Sequence, residues 1–484
     1  MDSSEKFYDV LVIGAGLSGV GATYHLRENC PDLTFSVLES RAAIGGTWDL
    51  FKYPGIRSDS DMYTLGFSFN PWKNPKSIAD GKAILQYIND TVDDFGIRDA
   101  IQFNKKVTIA NWSSIDNEWT LEIQNSQTEK AEIIKCNFLF MCSGYYNYDK
   151  GYEPEFLNAN TFKGLKIHPQ KWDTSLDYTN KKIVIIGSGA TAVTLLPELA
   201  KKAKQVTMLQ RSPSYIMNLP SEDKVANFLK KILPAKLAHN IIRWKNILLS
   251  MLFYQASKRF PNFIKKVLKK YIKGQLGDKY EEQNFDPTYN PWDQRLCLVP
   301  DNDLFEALRT KNADIVTDTI HSFTEEGILL NCGKTLPADI IVTATGLNLQ
   351  LFGGMKLIVD YKIVDTSKAH AYKGVMLSGV PNFAVALGYT NASWTLKCDL
   401  NCLFVVKVLN HMKALNYSVC TAVFDHENLK SEPLVDFDAG YILRANNVLP
   451  KQGSKAPWKV HQNYLKDLSS LKYSSITDEY LVYK

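Results

Sequence analysis

The stretch YDVLVIGAGLSGVGATYHL, residues 8–26, decides the fold. Tyr8 to Ile13 reads as one buried strand, and Gly14-Ala-Gly16-Leu-Ser18-Gly19 leads from it into a helix. Gly14 permits the tight turn, and Gly16 lets the backbone approach a pyrophosphate. Gly19 allows close helix–strand packing, and the helix N-terminus supplies partial positive charge. A second strand, TFSVLE, ends at Glu39, twenty residues after Gly19, where a carboxylate can bind ribose hydroxyls. A lone GxGxxG carries little information. With a strand before it, a helix after it and the acid in place, it predicts a dinucleotide site.

The pattern recurs as KKIVIIGSGATAVTLLPEL, residues 181–199, with Gly187, Gly189 and Ala192 at the three small positions and Ser188, Ala190 and Thr191 between them. Its following strand, QVTMLQRS, ends in Gln210 and Arg211 instead of an acid. An arginine there can pair with a 2′-phosphate, so NADPH is expected over NADH. Two such sites, the first next to the N-terminus, predict FAD followed by NADPH. The strands ADIIVTATGL (338–347) and CNFLFMCSGY (136–145) fit the segments that return the chain between nested domains. The expected fold class is α/β, a flavoprotein of two nested Rossmann-like dinucleotide-binding domains with a helical insertion. The FAD domain is placed at 1–150 and 375–484, linker and NADP domain at 151–215 and 295–374, and the insertion at 216–294.

The 484 residues suffice for two or three domains, and 45% hydrophobic with 22% charged residues is ordinary for a globular chain. No apolar run reaches the ~18 residues that span a bilayer, and the first residues lack a secretory pattern. Eight cysteines without a CxxC pair or zinc spacing predict reduced thiols, no metal, and a cytoplasmic protein. The net charge of +5 conceals a basic block. Residues 224–280 hold fourteen Lys or Arg against the single acid Asp278, with apolar residues at helical spacing, as in NFIKKVLKKYIKGQL. Two readings stay open for it: a solvated lid whose apolar stripe packs inward, or peripheral contact with the inner face of the cell membrane. Nucleic acid is not an expected partner.

Between the two glycine-rich turns lies FKGLKIHPQKWD, residues 162–173. Phe162, Gly164, His168, Trp172 and Asp173 there match FxGxxxHxxxW followed by Asp or Pro. On this fingerprint the chain resembles the Baeyer–Villiger flavin monooxygenases, class B flavin enzymes. The likeness runs almost end to end, through GGTWDLFKYPGIRSDSDMYTLGFSF, CSGYYNYD, YNPWDQRLCLVP and GYTNASWTLK, and is strongest to the ethionamide-activating mycobacterial type.

The resemblance implies an NADPH- and O2-dependent enzyme that works through a peroxyflavin. It would convert ketones to esters and oxidise sulfur compounds such as thioethers and thioamides. Arg295 is implied as the active-site cation that stabilises anionic oxygen, with Asp59 as the buried carboxylate that orients it. Gly46, Thr47, Trp48, Asp49 and Leu50 are implied as flavin wall, the Val107 backbone as neighbour of the FAD adenine, and Arg57, Ser58 and Asp59 as the meeting point of NADP and flavin. The fingerprint is implied as a domain-coupling linker, with His168 a hinge group and Trp172 packing against the NADP domain. TNASW is expected to cap a helix beginning near Trp394, and the basic insertion to roof the site. Many ketone-oxidising members carry Lys-Arg where this chain has Gln294-Arg295, so substrate scope does not transfer from them. The competing readings are an N- or S-oxygenating flavin monooxygenase without ketone activity, and a membrane-associated flavoprotein sensor without turnover. A disulfide reductase would need a cysteine pair at the flavin, which the sequence lacks.

Overall fold

The computed structural model describes residues 6–434, 440–445 and 447–484. Strand β1 (Lys6–Ile13) leads through Gly14–Gly16 into helix α1 (Leu17–Asn29) and strand β2 (Phe35–Leu38), as the opening motif predicts. Strands β3 (Ile101–Gln102), β4 (Lys105–Ser113), β5 (Glu118–Asn125) and β6 (Ala131–Met141) follow. The chain then leaves this sheet and builds a second one from β7 (Leu165–Ile167), β8 (Lys182–Ile186), β9 (Gln205–Gln210), β10 (Ala313–Thr317) and β11 (Ile340–Thr343), with helix α2 (Ala190–Ala200) after β8. This sheet runs β10-β9-β8-β11-β7, all parallel. Its strands read as continuous apolar runs because both faces are covered: Ile183, Val184 and Ile185 are all buried.

Helices α3 (Lys224–Ile232), α4 (Ala235–Arg259) and α5 (Pro261–Leu276) lie between β9 and β10 in sequence. After β11 the chain returns to the first sheet as β12 (Lys356–Val359), β13 (Lys362–Ile363) and β14 (Phe383–Val385), then forms helix α6 (Trp394–Ala414). The first sheet has nine strands in the order β13-β12-β4-β5-β6-β1-β2-β3, with β14 added beside β6. The expected return at residue 375 is therefore too late. Strand β12 already pairs with β4, in register Lys356↔Ile109, so the crossing falls between β11 and β12.

Helix α4 is fastened to the first half by Arg243, which is buried and donates from Nη1 to the carbonyl oxygens of Tyr63 (2.9 Å) and Gly66 (2.8 Å). One turn earlier on the same face, burial, with the Arg243 charge adding to it, pulls the pKa of His239 down from 6.5 to about 4. The sign follows from linkage. Below the ordinary histidine pKa the unfolded chain takes a proton that the folded chain refuses until about pH 4. Stability is thus complete above that ordinary pKa and is lost as pH falls through the window, by up to ~1.4 kcal/mol per pH unit for this group. Urea midpoints measured from neutral to mildly acidic pH should fall less steeply in His239→Gln than in the parent.

Candidate active site

A cavity of about 1190 Å³ lies between the two sheets and is lined by both glycine-rich turns. That exceeds the ~300–1,000 Å³ of most small-molecule pockets and suits more than one large ligand. Gly14 has φ +105°, and a Cβ there would sit 2.8 Å from the Cys142 carbonyl oxygen. Gly19 does not reach the cavity: its Cβ would fall 1.8 Å from the Gly14 carbonyl oxygen, so it serves the helix–strand contact behind the turn. Helix α1 begins at Gly16 with no side-chain cap, which leaves its first N–H groups free to face an anion. The Glu39 carboxylate at the end of β2 accepts hydrogen bonds from Ala15 N–H (2.7 Å) and Arg41 N–H (2.9 Å) and lines the cavity. Gly46, Thr47, Trp48, Leu50 and Val107 also line it, the last beside an irregularity in the β4–β5 ladder. Asp49 does not; it turns back to pair with Arg41.

The second turn repeats the geometry. Gly187 has φ +137°, and a Cβ would lie 2.3 Å from the Ala344 carbonyl oxygen. Gly189 opens helix α2 without a side-chain cap, and a Cβ on it would meet nothing within 4 Å. Ser188, Ala190 and Thr191 line the cavity with it, and Ser188 Oγ accepts from Ser214 Oγ at 3.1 Å. Ala192 is fully buried behind the turn. Arg211 stands exposed at the rim. Gln210 is a correction to the expected set. Its side chain points into the protein and donates to the Asn284 carbonyl oxygen (2.9 Å) and Thr317 Oγ1 (2.8 Å), because successive residues at the end of β9 face opposite ways. Two uncapped helix starts with glycine-lined approaches fit the pyrophosphates of FAD and NADP.

Where the turns converge, Arg295 Nη2 lies 3.0 Å from Asp59 Oδ2. The expected pairing is present, but the carboxylate is not buried: both side chains are more than one-third exposed, because they face the cavity and not a core. Arg57 pairs with Asp303 and also lines the cavity, and its Nη2 is buried without a hydrogen-bond partner. Ser58 is buried, its Oγ accepting from Ala79 N–H at 3.1 Å.

The wall also holds aromatic residues that the sequence reading gave no role. Tyr145 and Trp394 meet at 5.1 Å, and Trp394 Nε1 donates to Ser18 Oγ at 2.8 Å. Burial pushes the Tyr53 hydroxyl up to about 12 and raises Tyr145 well above the ordinary tyrosine range, so both remain protonated donors. CSGYYNYD and GYTNASWTLK contain Tyr145 and Trp394, but only the fold brings them together. Helix α6 does begin at Trp394, yet Ser393 forms no side-chain cap; its Oγ instead hydrogen-bonds Thr64 Oγ1 at 2.6 Å.

The fingerprint lies outside the cavity. His168 Nε2 hydrogen-bonds the Gly346 carbonyl oxygen (3.1 Å), its Nδ1 accepts from Gln170 N–H (3.2 Å), and Gln170 Nε2 donates to the Asn147 carbonyl oxygen (2.9 Å). These contacts tie the linker to both segments that cross between the sheets. Burial lowers the His168 pKa, which keeps the ring neutral. Trp172 packs into the second sheet's core beside Tyr178, and Phe162 packs near Phe323. A Cβ on Gly164 would lie 2.4 Å from the Asp339 carbonyl oxygen. Asp173 is exposed and accepts from Ser175 N–H (2.8 Å). Of the insertion placed at 216–294, only its last residue, Gln294, lines the cavity, so its helices do not roof the site. Helix α4 sits behind the wall, where Ile247 and Met251 share a small pocket with Tyr389 and Ala392.

A family model described as "Flavin-binding monooxygenase-like" matches residues 8–416. The chain is 51% identical to the "FAD-containing monooxygenase EthA" of Mycobacterium tuberculosis over 97% of this chain and 96% of that one. It is 48% identical to the "Probable FAD-binding monooxygenase AlmA" of Acinetobacter baylyi over 98% and 95%. Among solved structures it superposes on an oxidized steroid monooxygenase bound to NADP with a TM-score of 0.73 and 21% identity, covering 86% of this chain and 88% of that one.

Proposed function

Because the chain belongs to the flavin-binding monooxygenase-like family, we propose that this FAD-containing, NADP-using monooxygenase inserts one oxygen atom of O2 into ketones to give esters and oxidises thioethers and thioamides. The observation that carries this reading is the Arg295–Asp59 pair, set in the cavity that both glycine turns line. Bound FAD, reduced by NADPH, supplies the oxygen-activating chemistry. Arg295 places positive charge where negative charge develops on oxygen, and Asp59 fixes the plane of its guanidinium. Tyr145, Tyr389 and Trp394 narrow the cavity and limit water. FAD is assigned to the turn at Gly14–Gly19 with Glu39, and NADP to the turn at Gly187–Thr191 with Arg211.

Gln294 also lines the cavity and contributes no charge. Of these two neighbouring positions only Arg295 carries a charge, which fits sulfur oxidation alongside ester formation. The test is incubation of the purified holoenzyme with NADPH, O2 and either a methyl ketone or a thioether, with product identification. Ester and sulfoxide both confirm the reading; sulfoxide alone moves the enzyme to the N- or S-oxygenating class. Neither product, with hydrogen peroxide only, refutes it. In the same assay Arg211→Gln should raise the KM for NADPH about tenfold, equivalent to ~1.4 kcal/mol, and leave the KM for NADH unchanged.

A further inference from the structure

We propose that helices α3 and α4, with the start of α5, form a docking surface for anionic lipid bilayers. Single exposed apolar side chains are normal on a protein surface, whereas clustered ones mark an interaction site. Twelve of the twenty-seven exposed large hydrophobic residues among the described residues fall between Val225 and Val267. They are spaced as helix stripes. On α4, Leu237, Ile241, Trp244, Leu248 and Leu252 recur at intervals of three and four and are all exposed. On α3, Val225, Phe228 and Ile232 do the same, and on α5 Phe263 and Val267 lie four apart.

These are outer faces. Helix α4 has a separate inner face, Ala238, Ile242 and Ile247, which is buried. An apolar stripe facing inward thus exists, but it is the other one.

Charge selects the occupant. Exposed Lys231, Lys236, Arg259, Lys266 and Lys270 form no ion pair among the described residues, while Lys245, Lys258 and Lys269 are paired locally. An amphipathic surface with lysines beside leucine and tryptophan matches the interface of a bilayer that carries anionic headgroups. A two-fold contact with a second copy would oppose two basic blocks of like charge. The inner face of α4 meets Tyr389 and Ala392, which also line the large cavity. Docking would therefore set the cavity wall one helix away from the lipid, a placement suited to substrates that partition into it.

The test is co-flotation of the holoenzyme with phosphatidylcholine vesicles, with and without phosphatidylglycerol as a quarter of the lipid. The expected result is binding to the anionic vesicles only, weakened about tenfold or more by high salt. Leu248→Ser with Leu252→Ser, and separately Lys266→Gln with Lys270→Gln, should each weaken flotation about tenfold and leave NADPH turnover unchanged. Equal binding to both vesicle types, or to neither, overturns the proposal. So does a mass in sedimentation that rises with concentration and is lowered by the leucine variants while flotation is absent, which would assign the surface to a second copy of the chain.

Discussion

Replacing Arg295 by alanine should cost about 10²–10³-fold in ester and sulfoxide formation, ~3–4 kcal/mol of transition-state stabilisation, with NADPH consumption retained and diverted to hydrogen peroxide. The expected ratio of product to NADPH consumed falls towards zero, which identifies the step that the guanidinium serves. A purely structural role would show instead as lost stability. Here the structure separates the two readings, because the Arg295–Asp59 pair faces the cavity with both side chains more than one-third exposed. Exposed pairs contribute at most ~1 kcal/mol, so the urea midpoint of Arg295→Ala should stay near that of the parent. Arg295→Lys should recover part of the activity, since it keeps the charge but loses the planar fork that Asp59 orients.

The largest stability effect is expected elsewhere. Lys397 and Asp467 have side chains only 3% exposed and pair at 3.1 Å, and Asp467 also accepts the Tyr389 hydroxyl at 2.7 Å. Asp467→Asn keeps the volume and leaves a buried ammonium without its counter-charge, a loss of ~3–5 kcal/mol. The double variant Lys397→Met, Asp467→Leu removes both charges and should regain most of the difference, as read from urea midpoints. Tyr389 lines the cavity, so the single variant should also admit water there and raise peroxide release.

The turn motifs were legible because their chemistry is local. A glycine at positive φ, a strand before it and a helix after it lie within twenty residues, and each rule applies to adjacent atoms. The return boundary was not legible, because it rests on β12 pairing with β4 about two hundred and fifty residues earlier, and no local pattern names that partner. Gln210 and Arg211 are adjacent in sequence, yet strand alternation sends one inward and one to the rim. In the insertion the spacing showed that helices form and that they are amphipathic. It could not say which stripe faces in, because α4 carries one on each side, and the buried one is shorter than the exposed one. The aromatic wall has no local signature, because Tyr145 and Trp394 come from distant segments that touch only in the folded chain.

Trp394 reaches Ser18 across 376 residues, and β14 joins the sheet that β1 began. A ribosome making this chain releases α1 and the first turn early, long before the helix that closes over them. The second sheet, whose five strands all lie between β6 and β12, can mature in the meantime. The nascent first half must wait with its apolar faces open until α6 emerges. Order of synthesis thus favours the second sheet as the earlier folding unit and makes closure of the first glycine turn the later event.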